Sequence, residues 1–219
     1  MTPPEITTIL FDFDGTLATL NIDFASMREN ILALIGRYHI SPDGYKNLFV
    51  LEMIEAGRKA IARSHTGDGN DFERRALTLV QSMEINAAKR GKLIEGIETM
   101  LKRLRERGAK TGIVTRNCID AVQTIFPDVH NYCGAVITRE FTEKVKPHPD
   151  HIRVALRALD ALPRNSAMVG DHPMDMTVGK ELGTFNVGVL TGYSEEAPLF
   201  KAGADIVITS AATLLDCIA

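Results

Sequence analysis

The sequence predicts an α/β fold in which a parallel sheet, covered by helices on both faces, is interrupted early by an all-helical insert. Two patterns indicate this fold. Short apolar, β-branched runs alternate with amphipathic segments after Gly91, and helical periodicity fills residues 21–92, directly after the first apolar run. The chain of 219 residues is 45% hydrophobic and 24% charged, which is ordinary for a globular protein with a sizeable core.

The first strand is predicted within residues 6–13, because these residues are mainly β-branched, aromatic and apolar. Gly15 then supplies the turn that ends the strand. The first helix of the insert is predicted over residues 24–38, where apolar residues recur on one helical face.

A second helix of the insert is predicted to begin at Ser41 and Pro42, an N-cap followed by a proline in the first turn, and to run to about Arg63. The stretch SHTGDGN that follows is typical of a loop. Asn70 with Glu73 resembles a capping box, so a third helix is predicted from there to the end of the insert.

The remaining elements alternate between helices and strands, except that the last two predicted strands follow one another. In chain order they are helix 96–107, strand 111–114, helix 118–126, strand 134–138, helix 149–160, strand 166–169, helix 174–182, strand 185–189, strand 205–208 and helix 213–218. This alternation predicts a Rossmann-like parallel sheet core made of residues 1–20 and 93–219, with residues 21–92 as a small all-α domain.

Composition and charge exclude several classes of function. The net charge of −3 gives no reason to expect nucleic acid or an anionic membrane as partner, and no apolar run is long enough to span a bilayer. The first eight residues, MTPPEITT, lack the basic and apolar regions of a signal peptide. The three cysteines lack paired spacing, so they are expected to be reduced thiols in a cytoplasmic protein.

Polar side chains follow the predicted strands at the edge where parallel strands end, and ligands bind at this edge in open α/β sheets. The run ILFDFDGT carries two of them, and a turn explains Asp14-Gly15 but not Asp12 inside an apolar run. The predicted loops bring six polar residues to this edge: Asp12, Asp14, Thr115, Lys146, Asp171 and Asp175.

This set of residue types indicates phosphoryl transfer. Two carboxylates ~4 Å apart repel by roughly 4 kcal/mol at an effective dielectric constant of about 20, so a cation is expected between them. Hard oxygen ligands such as Asp12 and Asp171 favour Mg²⁺ over zinc. A carboxylate beside the metal can attack phosphorus, and a second acid two residues on can move protons. Lys146 and Thr115 would stabilise the transferred phosphoryl group.

The sequence resembles the haloacid dehalogenase superfamily. The resemblance covers essentially the whole chain and depends on four motifs in order: DFDGT at 12–16, the apolar strand that ends in Thr115, Lys146 in KPHPD, and GDHPMD at 170–175. Within that superfamily the chain resembles the phosphoglycolate phosphatase-like branch, in which a helical cap is inserted after the first strand.

The resemblance implies a role for each motif residue. Asp12 would be the nucleophile and Asp14 the general acid/base. Thr115 and Lys146 would bind phosphate, and Mg²⁺ would be held by Asp12, the backbone carbonyl of Asp14, Asp171 and Asp175. Dehalogenases of the superfamily lack an acid at the position of Asp14, so the resemblance leaves a phosphatase or a phosphomutase.

The expected function is a Mg²⁺-dependent phosphatase that hydrolyses a small-molecule phosphomonoester through an aspartyl-phosphate. A phosphomutase shares every motif and stays open as an alternative, as does a non-catalytic phosphate-binding or scaffold protein. Arg116 is a further candidate for phosphate binding. The candidates for substrate binding are Asn117 and, in the cap, Arg58, Lys59 and Arg63. The only expected partner is the small substrate, and a monomer and a dimer are equally compatible with the sequence.

Overall fold

Eight β-strands and eight α-helices occur in residues 5–217, the part of the chain that the computed structural model describes. The strands are β1 (Thr8–Phe11), β2 (Ala18–Thr19), β3 (Lys92–Leu93), β4 (Lys110–Val114), β5 (Ala135–Ile137), β6 (Ser166–Gly170), β7 (Phe185–Val189) and β8 (Ile206–Ile208). The helices are α1 (Phe24–Gly36), α2 (Val50–Ser64), α3 (Gly69–Ala88), α4 (Ile97–Glu106), α5 (Ile119–Ile125), α6 (Asp150–Ala158), α7 (Pro173–Leu182) and α8 (Glu196–Ala202).

The large sheet is parallel and has the strand order β5-β4-β1-β6-β7-β8. β1 lies inside it, where Thr8 pairs with Lys110 of β4 and with Ser166 of β6. All four residues of β1 are buried, as is typical of a parallel strand with helices around the sheet. The predicted α/β fold with a parallel sheet is therefore confirmed, and the carboxyl ends of its strands share one edge.

Helices α6 and α7 pack against the sheet through side chains from both kinds of element. The buried cluster that they form includes Leu10, Val114, Ile137, Ile152, Leu156, Met168 and Val178. Burial of one such side chain contributes roughly 1.5–3 kcal/mol, so this cluster holds the loops after β1, β4 and β6 on a rigid base.

The helices of residues Asn21–Ala87 form one compact unit, and the residues on either side of them form the other. Inside the helical unit, Tyr38 contacts Phe72 edge-to-face at 5.6 Å between ring centroids. Gly57 of α2 lies so close that a Cβ there would be 3.0 Å from the Phe72 ring. This unit ends at Ala87 rather than at residue 92, because Lys92 already belongs to β3, which pairs with β2.

Two predicted helix starts in the insert were wrong. A 3₁₀ turn covers Pro42–Tyr45, and α2 begins only at Val50. The guanidinium of Arg28 donates to the carbonyls of Lys46 and Leu48, which removes these acceptors from a continuous helix.

The start of α3 differs from the prediction for a local reason. The helix already begins at Gly69, so Asn70 lies inside it and does not form the predicted capping box with Glu73. The Asp68 carboxylate accepts from the Asn70 backbone N–H at 2.8 Å instead. Aspartate is as good an N-cap as asparagine, and the sequence offers both within three residues.

The last predicted helix, over residues 213–218, was also wrong in type. A 3₁₀ helix runs over Ala211–Asp216, and the Ser210 hydroxyl accepts from the Ala212 N–H at 3.2 Å. Ile218 lies outside the described residues. None of the helices in the described range combines the length and apolarity that a membrane crossing requires.

Candidate active site

The turn after β1 presents Asp12 and Asp14 at the carboxyl edge of the sheet. The Asp12 N–H still donates to Val169 of β6 at 2.9 Å, so its backbone continues the sheet. Gly15 then takes φ = 82°, a conformation that favours glycine. The Asp14 carboxylate accepts from the Leu20 N–H at 3.0 Å, which fixes it within the same turn.

Lys146 links two of the predicted carboxylates. Its Nζ lies 2.8 Å from Asp12 Oδ1 and 2.6 Å from Asp175 Oδ1, and its side chain is 1% exposed. Burial alone would lower the pKa of Lys146, but the two carboxylates more than offset this and the pKa is raised. Lys146 is therefore a permanent cation inside the site.

Asp171 lies in a cradle that the sequence analysis did not identify. The Thr16 hydroxyl donates to its Oδ1 at 3.2 Å, and the Tyr193 N–H donates to its Oδ2 at 2.7 Å. A Cβ on Gly15 or on Gly192 would lie 2.5 or 2.1 Å from Asp171 Oδ2. Both carboxylate oxygens are thus fixed by one donor each, and two glycines leave room for them.

The residues present fit a divalent cation. Carboxylate oxygens of Asp12, Asp171 and Asp175 all lie within 4.8 Å of one another. Burial, followed by the charge of Asp12, raises the pKa of Asp171 to about 6. Burial also raises the pKa of Asp175 to about 7, and its Oδ2 is buried without a hydrogen-bond partner. Closely spaced carboxylate oxygens, one of them without a hydrogen-bond partner, are the donor set that Mg²⁺ prefers.

The three residues after β4 form hydrogen bonds with backbone groups of the neighbouring loops and strand. Thr115 is buried and its N–H donates to Ile137 of β5 at 3.0 Å, while its hydroxyl accepts from the Asn117 N–H at 3.2 Å. The Arg116 guanidinium donates to the Lys146 carbonyl at 2.5 Å. Thr115 and Asn117 thus form one tight turn, and Arg116 joins that turn to the loop of Lys146.

The three basic candidates of the insert lie on α2, inside the helical unit. Lys59 forms an ion pair with Glu55 at 2.5 Å, and Arg58 forms one with Glu73 at 3.7 Å. These pairs lie within the same unit, and Arg63 is near the end of α2. A role of the three side chains in substrate binding stays a prediction.

His151 is a further residue near the site that the sequence did not indicate. It is fully buried, its Nδ1 accepts from the Lys146 N–H at 3.1 Å, and its Nε2 donates to the Ile137 carbonyl at 3.2 Å. Burial, followed by the positive charges of Lys146 and Arg116, lowers its pKa to about 3. One histidine among six in the chain gives no sequence signal for such a position.

This lowered pKa predicts an acid-dependent loss of stability. Between about pH 6.5 and pH 3 the unfolded chain binds a proton at residue 151 and the folded chain does not, so stability falls as the pH falls. From pH 6.5 to pH 4.5 this difference in proton binding should lower the free energy of unfolding by about 2–3 kcal/mol. In urea unfolding, the free energy of unfolding should therefore decrease less between pH 6.5 and pH 4.5 for His151→Asn than for the wild type.

The exposed His130 provides the control, because His130→Asn should leave this pH dependence unchanged. The raised pKa values of Asp171 and Asp175 act in the opposite direction in every one of these proteins, so the difference isolates His151. An equal dependence of the free energy of unfolding on pH in the wild type and in His151→Asn would contradict the expectation.

Known proteins resemble this chain over most of its length. Residues 9–189 match the haloacid dehalogenase-like hydrolase family. The chain is 30% identical over 217 residues to a protein of Bacillus cereus named Pyrophosphatase PpaX, covering 96% of this chain and 95% of that protein. Its fold is similar to that of a hydrolase from Pseudomonas syringae, with a TM-score of 0.72, 18% identity and 97% of each chain covered.

A second solved structure with the same fold comes from Haemophilus somnus and is described as a predicted phosphoglycolate phosphatase. It has a TM-score of 0.64 and 17% identity, with 97% of each chain covered. The identity to both structures is low, so they show the fold alone, whereas the family match covers the strands and loops that carry Asp12, Lys146 and Asp171. The chain belongs to the haloacid dehalogenase-like hydrolase family.

Proposed function

We propose that the protein is a Mg²⁺-dependent phosphatase that hydrolyses a small-molecule phosphomonoester in the cytoplasm. The observation that carries the proposal is the contact of the buried Lys146 ammonium with Asp12 and Asp175, beside Asp171. A fixed cation next to a nucleophilic carboxylate suits a trianionic phosphoryl transition state. The family match supports hydrolysis as the reaction class.

Four groups would hold the metal in this proposal: the carboxylates of Asp12, Asp171 and Asp175 and the backbone carbonyl of Asp14. When bound, Mg²⁺ would reduce the repulsion between the Asp12 carboxylate and an anionic phosphate. The orphaned Oδ2 of Asp175 supports this assignment, because a buried carboxylate oxygen without a partner is costly unless a cation is near.

In the first step Asp12 attacks the phosphorus atom and the bond to the ester oxygen breaks. The protonated carboxyl of Asp14 donates its proton to the departing oxygen, which leaves as an alcohol. Lys146 and the Thr115 hydroxyl would stabilise the charge on the transferring phosphoryl oxygens. Arg116, which follows Thr115 directly and donates to the Lys146 carbonyl, would assist them.

In the second step the aspartyl-phosphate at Asp12 is hydrolysed. The Asp14 carboxylate, now deprotonated, accepts a proton from a water molecule that attacks phosphorus. Phosphate leaves, and Asp12 is regenerated as a carboxylate. One side chain thus serves as acid and then as base, which explains the need for a carboxyl group at position 14.

The helical domain, expected from the sequence over residues 21–92 with a catalytic core of residues 1–20 and 93–219, has Asn21–Ala87 as its compact unit and would act as a cap. Its expected work is to exclude water during transfer and to contact the alcohol part of the substrate. Arg58, Lys59 and Arg63 of α2, with Asn117 of the core, are the proposed contacts to an anionic substrate.

A substrate panel tests the proposal. Phosphate release would be measured for phosphoglycolate, hexose phosphates, nucleoside monophosphates and pyrophosphate, with Mg²⁺ and with EDTA. At least one monoester is expected to be hydrolysed, and EDTA should abolish the release. Hydrolysis that survives EDTA would remove the metal from the proposal.

Two other outcomes would replace the proposed function. Pyrophosphate as the sole substrate would favour a pyrophosphatase, the activity named for the Bacillus cereus relative. Isomerisation of a hexose phosphate without phosphate release would favour a phosphomutase. Binding of phosphate without turnover of any compound would favour the scaffold alternative.

A further inference from the structure

We infer that His151 is a positioning residue: it fixes the main chain of Lys146 and thereby the place of the Lys146 ammonium in the site. This inference rests on the proposed function only for its kinetic consequence. The geometry itself consists of contacts among residues of β5, α6 and the loop that carries Lys146.

The His151 ring bridges two backbone groups that belong to different elements. Its Nδ1 accepts from the Lys146 N–H at 3.1 Å, and its Nε2 lies 3.2 Å from the carbonyl of Ile137, the last residue of β5. Because a backbone N–H can only donate, Nδ1 must be the unprotonated nitrogen and Nε2 must carry the proton. The ring therefore has one tautomer and one orientation.

The Lys146 carbonyl, the other polar group of its backbone, is bound by a different side chain. Arg116 Nη1 donates to the Lys146 carbonyl at 2.5 Å, and Arg139 Nη1 donates to the Arg116 carbonyl at 3.1 Å. Both the N–H and the carbonyl of Lys146 are thus bound by side chains.

A lysine side chain has four rotatable bonds, so the place of its ammonium depends on where its Cα is fixed. The Lys146 Nζ must reach Asp12 at 2.8 Å and Asp175 at 2.6 Å at the same time. A shift of the Lys146 backbone would lengthen one of these contacts. Misplacement of a catalytic group by about 1 Å can cost 10²-fold in rate.

A packing role alone does not account for a histidine at this position. Residue 151 is fully buried, and an apolar side chain would fill the space without the cost of burying two ring nitrogens. Both nitrogens are used, one of them on the residue that contacts Asp12 and Asp175. The position therefore depends on an acceptor at the place of Nδ1.

Three variants separate positioning from packing. His151→Asn keeps an acceptor at the place of Nδ1, His151→Gln moves the polar group to the place of Nε2, and His151→Leu removes both. We expect kcat of His151→Asn within roughly 3-fold of the wild type, and kcat of the other two variants lower by roughly 10- to 100-fold, with a smaller change in KM.

Thermal unfolding and amide hydrogen exchange would be measured on the same proteins. Protection of the Lys146 amide should survive in His151→Asn and be lost in His151→Gln and His151→Leu. Asn and Gln each keep one of the two hydrogen bonds, so a purely structural role would lower stability and kcat alike in both. Equal kcat in these two variants, or a kcat that follows thermal stability across the series, would overturn the inference.

The two proposals fail in different ways. A wild-type protein that hydrolyses no ester refutes the phosphatase, and exchange at the Lys146 amide then still decides the contact with His151. An active wild type with an unchanged kcat in His151→Leu refutes the positioning role alone. His130→Asn, at an exposed histidine, is the control and should match the wild type in kcat and in exchange.

Discussion

Replacement of Asp12 by asparagine is expected to lower kcat by roughly 10⁴-fold or more, the largest activity loss of any single substitution in the chain. The amide has nearly the size of the carboxylate, but its oxygen carries no charge and cannot form the aspartyl-phosphate. The substitution also replaces one of the two carboxylates that contact Lys146, since Asp12 Oδ1 accepts from its Nζ at 2.8 Å.

The measurement is phosphate release from the best ester of the panel, together with intact-protein mass spectrometry after an acid quench. The wild type should show a phosphorylated fraction, and Asp12→Asn should show none. Asp128→Asn, an exposed aspartate in the core unit, is the matched control and should retain full activity. A phosphorylated Asp12→Asn protein would place the covalent intermediate on another residue and refute the proposed mechanism.

The parallel sheet could be predicted because its signals are local. Each strand of the core is a short apolar run flanked by glycine or polar residues, and its neighbours along the chain are amphipathic helices. The helix from Ile97 ends before Gly108, as the sequence indicates. The start of α2 could not be predicted, because Arg28, far away in the chain, binds the carbonyls that a longer helix would use.

The sequence predicted that four charged residues lie close together, because they follow predicted strands or belong to motifs in a known order. These residues are Asp12, Lys146, Asp171 and Asp175. What the sequence did not indicate are the groups that hold them. Thr16 reaches Asp171 across 155 positions of the chain, and Tyr193 does so through its backbone N–H, which every residue except proline possesses. Such contacts depend on the paths of two loops, one after β1 and one after β7, and no local pattern encodes those paths.

The second large effect is expected for Lys146→Met, which removes the buried cation and keeps an unbranched side chain only one atom shorter. Asp12 and Asp175 would then face each other without a counter-charge, and loss of one partner of a buried ion pair costs about 3–5 kcal/mol. Loss of a charge-stabilising group should lower kcat by roughly 10²- to 10³-fold. Urea unfolding in EDTA and phosphate release with Mg²⁺ would measure the two effects.

The neighbouring Lys144 is exposed, so Lys144→Met tests whether the effect belongs to the buried ammonium rather than to net charge. Lys144→Met should change neither stability nor kcat. The double variant Lys146→Met/Asp175→Asn removes a carboxylate together with the cation, and it should recover part of the stability. Its kcat should stay low, because stability depends on the balance of buried charge, whereas turnover needs a cation beside Asp12. Recovery of kcat together with stability would mean that Lys146 acts only as a structural counter-charge.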